Sequence, residues 1–304
     1  MNLKLRVGVI GCTKATESLI TALVKNKGVD FVCLITLDPS VSQRKARFVK
    51  IESANFEKPF EVISVTNLHE IPLAEKLSSW DLDVLVEIGW SHRIPKSILE
   101  TPKFGTVGIH NSLLPAYQGG ASLNWALIKD CSTWGCTLFH LEEDIDAGEI
   151  IFQEAFEITD GDDINTLFSK CDDLGIKMIE RFLPLANENL APRIRQDPLL
   201  VSKTPKRTPK DSAIDWHLDS RSIFNLVRAL KRPYPRAFTF FRGKRVLINQ
   251  AMVTDGKESK PGTITEIRRS GIVVSSGRGS ILLMESEHED GKPFIPKIGD
   301  SFYA

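Results

Sequence analysis

The sequence predicts an α/β protein: a doubly wound, mostly parallel sheet in an N-terminal domain, followed by a small OB-like β-barrel domain. Three observations carry this. In the first half, short β-branched runs alternate with stretches of helical periodicity. Those runs are apolar on both faces, as strands covered by helices on either side require. Beyond residue 236 the chain reads as short alternating runs separated by glycine turns, which suits a barrel.

The elements follow in order. "LKLRVGVIG" is a strand, and "TKATESLITALVKNKGVD" a helix capped by Thr13 or Thr16 and ended at Gly28, with Leu19, Ile20, Leu23 and Val24 on one face. "DFVCLITLD", "FEVISVT" and "LDVLVEIGW" are strands, with a helix around "IPLAEKLSSW" between the last two. "PKSILETP" gives a helical turn, "GTVGIHNS" a strand, and "CTLFHLEEDIDAGEIIFQEAF" a strand, an acidic loop and another strand. A long helix covers "DINTLFSKCDDLGIKMIERFLPLAN". "LAPRIRQDPLLVSKTPKRTPKDS" has proline, lysine and arginine with little periodicity and reads as a linker. After it come the helix "SRSIFNLVRALK" and five short strands. The expected boundaries are a catalytic domain at 1–189, a linker at 190–212 and a barrel at 213–304.

Length and composition bound the function. A chain of 304 residues is long enough for two cores. Lys plus Arg and Asp plus Glu are 39 each, so the formal net charge is zero and does not indicate a general nucleic-acid or membrane binder. The five cysteines (Cys12, Cys33, Cys131, Cys136, Cys171) contain no CxxC pair and read as reduced thiols. With neither an apolar leader nor a membrane-length run, the expected location is cytoplasmic. "VGVIGC" lacks the G-x-G-x-x-G of a dinucleotide site.

One titratable residue stands out by position. In open parallel sheets, ligands gather at the carboxyl ends of strands, and His110 sits there if "TVGIH" is a strand. The acidic loop ends in Asp146-Ala147-Gly148, and a carboxylate beside a glycine turn can reach the same crevice. Such a pair favours the imidazolium and makes a proton carrier near neutrality. Spacing alone equally allows an ordinary polar residue at a strand end. His69, His92, His140, His217 and His288 fit no metal-ligand spacing, and Ser112 lacks a G-x-S-x-G elbow.

"HNSLLPAYQGGASLNWALI" followed by "DIDAGEI" resembles the folate-dependent formyltransferase family, with its H-x-S-L-L-P and later D-x-G motifs. "KRTPKDSAIDW" and "RALKRPYPRAFTFF" resemble the family's linker and the start of its C-terminal domain. The resemblance implies transfer of a formyl group from the co-substrate 10-formyltetrahydrofolate to a primary amine. It places His110 on the catalytic histidine and Asp146 on the aspartate that tunes it. His92, Arg93 and Ile94, with Glu142, Glu143, Asp144 and Ile145, fall on the stretches lining the folate pocket. Ser112, Leu113, Leu114 and Pro115 shape the turn beside the reacting carbon, and Gly120 falls within the same motif.

The pattern departs at one catalytic position. The family usually carries Asn two residues before the histidine as an oxyanion donor, and this chain has Gly108. A backbone N–H, a water admitted by the glycine, or Asn124 could substitute; formyl-folate hydrolysis, or folate binding without turnover, is the other outcome. Gln118 and Gly120 stand where the aminoarabinose branch has arginines. The acceptor follows from charge: residues 201–250 hold twelve basic residues against Asp211, Asp215 and Asp219, which suits a phosphate-bearing amine. The first-domain loop "DPSVSQRKARFVKIES", with Arg44, Lys45, Arg47 and Lys50, is short, and zero net charge argues against a tRNA-sized phosphate footprint. Together with "LNW" after the glycines, which resembles the amino-sugar branch of the family, this makes a nucleotide-linked amino sugar the expected acceptor, initiator tRNA the second. A homo-oligomer is left open.

Overall fold

The computed structural model describes residues 4–42, 47–68, 72–292 and 294–303; Arg44, Lys45 and His69 lie outside them. β1 (Leu5–Ile10) occupies the middle of a sheet, with β2 (Val29–Leu37) and then β3 (Glu61–Val65) parallel to it on one side. On the other side lie β4 (Val84–Glu87) and β5 (Thr106–His110), also parallel. β6 (Thr133–His140) pairs antiparallel with β5, and β7 (Ile150–Glu157) completes the order β3-β2-β1-β4-β5-β6-β7. Chain order reverses between β1 and β4, so the carboxyl ends of β1, β4 and β5 flank a crevice of the kind where doubly wound sheets bind ligands.

Local chemistry sets the boundaries. α1 (Lys14–Lys25) starts at Thr13, whose N–H donates to Thr16 Oγ1 at 3.1 Å in a capping box. It buries Leu19, Ile20, Leu23 and Val24, each worth roughly 1.5–3 kcal/mol when removed from water. The helix ends at Lys25, earlier than Gly28, because Asn26 turns extended and its side chain accepts from Gly28 N at 2.9 Å. α2 (Pro39–Ser42), α3 (Pro72–Ser79) and α4 (Lys96–Leu99) are short; α5 (Ser122–Ile128) precedes β6, and α6 (Ile164–Asn187) follows β7. All five cysteines are free thiols, and Cys33 is held up to about 12 by burial, with Glu61 adding to it. Among the described residues, no helix is long and apolar enough to cross a membrane.

The chain divides into two compact units that do not follow chain order. The first comprises residues 1–119, 135–156 and 169–203 and holds most of the parallel sheet. Its last stretch, read from sequence as linker, bridges Ile194 to Ile150 and Lys203 to Gln118.

The second unit comprises 120–134, 157–168 and 204–304. It holds α7 (Ser220–Ala229), capped by Asp219 accepting from Ser222 N at 2.8 Å, and five strands: β8 (Ala237–Phe241), β9 (Lys244–Thr254), β10 (Ile264–Arg268), β11 (Gly271–Ser275) and β12 (Ser280–His288). These form an antiparallel sheet in the order β10-β11-β12-β9-β8. Ser301 bridges to Thr263 beside β10, and Tyr303 to Phe240 in β8, so the chain's end ties the two edges together as the barrel reading requires. Trp216 stacks on Phe302 at 5.3 Å and donates its indole N–H to Thr239 Oγ1 at 2.9 Å.

Candidate active site

β5 ends at His110, and the turn after it is held rigidly by side chains. Thr137 on β6 accepts from Leu114 N at 3.0 Å and donates to Ser112 O at 2.7 Å. Gln153 on β7 donates to Leu114 O at 2.8 Å and to Thr137 Oγ1 at 2.9 Å. Ser112, fully buried, donates its hydroxyl to Ala116 O at 2.6 Å. The turn thereby brings Tyr117 O to 3.0 Å from His110 Nε2.

Asp146 arrives from the loop between β6 and β7. A Cβ at Gly148 would lie 1.8 Å from His140 O, so only glycine lets this loop close. Asp146 itself has φ 58°, the left-handed region. Its Oδ2 accepts from Gly119 N at 2.7 Å, and its Oδ1 lies 3.5 Å from His110 Nδ1. The second distance is a charge contact rather than a hydrogen bond. Both side chains are mostly buried, at 11% and 14% exposure, so the contact is only weakly screened. One ring nitrogen therefore faces a carbonyl and the other a carboxylate.

The remaining expected residues distribute as follows. Leu114 is buried with Phe139 and Ile150, Leu113 and Pro115 are partly exposed, and Pro115 follows a cis bond. Arg93 donates to Glu143 O at 3.1 Å, which joins the 92–94 stretch to the 142–146 loop. Ile94 is buried, while His92 is exposed and meets Trp90 edge to face at 5.5 Å. Glu142, Glu143, Asp144 and Ile145 are exposed. Gly120 O accepts from Thr204 Oγ1 at 2.8 Å. A cavity of about 650 Å³ has Leu99, Thr106, His140, Leu141, Glu142, Glu143 and Phe182 in its wall; His92, Arg93, Ile94, His110 and Asp146 take no part in it.

Gly108 lies opposite Glu87 in the sheet, and an ideal Cβ at 108 would sit 2.8 Å from Glu87 Oε2 and 3.0 Å from Leu141 Cδ2. The glycine thus accommodates a carboxylate and a leucine rather than leaving room for a water. Asn124 is committed elsewhere, donating to Ala229 O at 2.7 Å. A Cβ at 108 would crowd the side chains of both Glu87 and Leu141. Introducing the missing side chain is accordingly expected to harm: Gly108→Asn should cost about 1–3 kcal/mol of stability by overpacking and should not raise turnover. Pairing it with Glu87→Ala should recover only part of that stability, because Leu141 stays close and the bond from Trp90 N to Glu87 Oε1 is lost, as urea unfolding of the three variants would register.

Sequence reasoning did not single out Thr137, Gln153, Gln196 or Ser202. Gln196 donates to Asp146 O at 2.7 Å and to Gly148 O at 2.8 Å, and Ser202 Oγ accepts from Tyr117 N at 2.9 Å. No local signal marked either one, since both lie in an aperiodic stretch.

Comparison with known proteins identifies the family. Residues 4–183 match the Formyl transferase family, and residues 206–297 match Formyl transferase, C-terminal domain. The methionyl-tRNA formyltransferase of Pelotomaculum thermopropionicum is 34% identical over 228 residues, 74% of this chain and 71% of that protein. Among solved structures, the Helicobacter canadensis N-formyltransferase in complex with folinic acid and dTDP-3-aminofucose superposes with a TM-score of 0.68 at 18% identity, over 92% of this chain and 99% of that one. HypX from Aquifex aeolicus in complex with tetrahydrofolic acid gives 0.68 at 17%, over 94% and 44%. Those structural likenesses establish the fold. The chain belongs to the formyl transferase family. It is a folate-dependent formyltransferase, with formyl-folate as co-substrate.

Proposed function

We propose that the enzyme transfers the formyl group of 10-formyltetrahydrofolate to the primary amine of a nucleotide-linked amino sugar, with His110 carrying the proton and Asp146 orienting its ring. What carries the chemistry is the meeting of His110 Nδ1 and Asp146 Oδ1 at 3.5 Å across 36 residues of sequence, in a mostly buried setting. In the transfer, the amine nitrogen bonds to the formyl carbon and the carbon's bond to the folate nitrogen breaks. The amine loses a proton and the folate nitrogen gains one. A single imidazole can accept the first and deliver the second, and its protonated form can stabilise negative charge on the formyl oxygen. Asp146 keeps that ring in place. The 92–94 stretch and the 142–146 loop, joined through Arg93 and Glu143, line the folate side.

The acceptor reading rests on where the basic residues go. Arg221 pairs with Asp130 at 2.7 Å and Asp160 at 2.6 Å, and Lys231 with Asp163 at 2.9 Å. Arg242 pairs with Asp300 at 3.0 Å, Arg245 with Glu289 at 2.8 Å, and Arg236 with Glu287. Arg228 is buried and donates to Asn225 Oδ1 at 2.9 Å. Much of the charge counted in residues 201–250 is thus neutralised within the unit, which suits two phosphates better than a tRNA stem. Initiator tRNA is the second reading, favoured by methionyl-tRNA formyltransferase relatives at 28–34% identity.

A panel separates them: 10-formyltetrahydrofolate with dTDP-, UDP- and GDP-linked amino sugars or charged initiator tRNA, followed as tetrahydrofolate release. Release driven by one sugar is expected. Release with tRNA alone, falling steeply with salt, overturns the sugar reading. Release without any amine identifies a hydrolase, and folate binding without release a non-catalytic protein.

A further inference from the structure

We propose that Gln196 is a positioning residue for Asp146: its carboxamide locks the loop carrying the carboxylate to the turn carrying Tyr117 and Gln118. The inference rests on the reading of His110 and Asp146 as the proton-handling pair.

The need for such a lock is visible in the backbone. Asp146 and Tyr117 both adopt left-handed conformations, with φ 58° and 59°, and neither is glycine. L-residues disfavour that region, so both must be held by surrounding contacts. These two residues define the histidine's surroundings, because Asp146 Oδ1 faces His110 Nδ1 and Tyr117 O faces His110 Nε2. A relaxation at either would move an acceptor away from the ring.

Gln196 supplies the hold. Its amide nitrogen donates to Asp146 O at 2.7 Å and to Gly148 O at 2.8 Å, using both hydrogens on carbonyls of the loop. Its Oε1 accepts from Gln118 Nε2 at 3.2 Å, and Gln118 Nε2 also donates to Asp146 O at 3.0 Å. A flipped Gln196 carboxamide would set its oxygen against two carbonyl oxygens, so the network fixes its orientation. Six residues on, Ser202 secures the other loop: its hydroxyl accepts from Tyr117 N at 2.9 Å, its carbonyl from Gln118 N at 2.8 Å, and its N–H donates to Pro115 O at 3.3 Å. One short segment therefore grips both loops, and Gln196 is the member that bonds the backbone of Asp146 itself.

Gln196→Met keeps the length and removes every hydrogen bond, whereas Gln196→Glu keeps the acceptor and removes the donors. Turnover is followed as tetrahydrofolate release with the acceptor the panel identifies. Both variants should lose about 10–100-fold in kcat with KM for 10-formyltetrahydrofolate changed less than about threefold, because the loss falls on the proton step. In the Asp146→Asn background, Gln196→Met should add less than about a twofold loss, since a residue acting through Asp146 has nothing further to position. Hydrogen exchange, which needs no acceptor, should quicken in residues 141–149 of Gln196→Met.

Wild-type kcat in Gln196→Met, losses that multiply with Asp146→Asn, or unchanged exchange would each overturn the proposal. If Asp146→Asn itself turns over at the wild-type rate, the proton-handling reading is what fails. Should Gln196→Met not fold, the shorter Gln196→Asn is used; failure of both to fold assigns Gln196 to stability and ends the proposal.

Discussion

Asp146→Asn is expected to lower kcat by about 10²–10⁴-fold while leaving the fold and the affinity for formyl-folate nearly intact. The reason lies in which donor faces which acceptor. In the wild type, Oδ2 accepts from Gly119 N at 2.7 Å and Oδ1 faces His110 Nδ1 at 3.5 Å. A carboxamide must place its oxygen toward the Gly119 N–H, since its NH₂ would meet that donor head-on. The NH₂ then faces His110 Nδ1, so the ring meets a donor where the carboxylate had offered an acceptor, and it loses the partner that orients it. His110→Ala removes the carrier altogether and should lose at least as much. Steady-state kinetics with a formyl-folate binding control would register both, and full activity in either variant removes the assigned roles.

What the sequence made legible follows from the range of the forces involved. The strands and helices up to β7 were readable because burial on both strand faces and on one helix face imposes short periods. His110 was readable from strand-end position, and Asp146 from its glycine neighbour, which the loop needs at 148 to pass His140 O. The partners of Asp146 were not readable. Gln196 stands in a stretch rich in proline, lysine and arginine, and nothing local distinguishes a glutamine that bonds two distant carbonyls from one facing solvent.

The pairing of the charges was not readable for a related reason. Counting within residues 201–250 missed Asp130, Asp160, Asp163, Glu287, Glu289 and Asp300, which neutralise its arginines and lysines from elsewhere in the chain. Gly108, which lacks the family's Asn side chain, also lies in three dimensions against the side chains of Glu87 and Leu141. Pairwise packing across a sheet has no one-dimensional signature when the partner lies on a different strand.

The second large effect concerns stability in mild acid, and it centres on His140. Only 6% of this residue is exposed, and its Nε2 has no hydrogen-bond partner among the described residues. Burial, reinforced by Arg193 and partly offset by Glu149, holds its imidazole down to about 4 from an ordinary 6.5. The folded state thus keeps the ring neutral while the unfolded chain takes up a proton below pH 6.5, so the unfolded state binds more protons in the window from about 6.5 to 4. Stability is present above that window and falls as pH drops through it. Between pH 7.5 and 5 the loss should be about 2 kcal/mol, from 1.36 kcal/mol per pH unit over the part of the window crossed. Asp172 works in the opposite sense, because burial raises its carboxyl despite Arg47, so the wild-type curve mixes the two. The comparison with His140→Leu isolates the histidine: the variant has no ring to protonate and no orphaned ring nitrogen. It should lose about 2 kcal/mol less than the wild type between those pH values in urea unfolding, and at pH 7.5 it should be no less stable than the wild type beyond its packing change. Equal pH dependence in the two proteins would mean that His140 titrates alike folded and unfolded, and the acid sensitivity would then belong to the carboxylates.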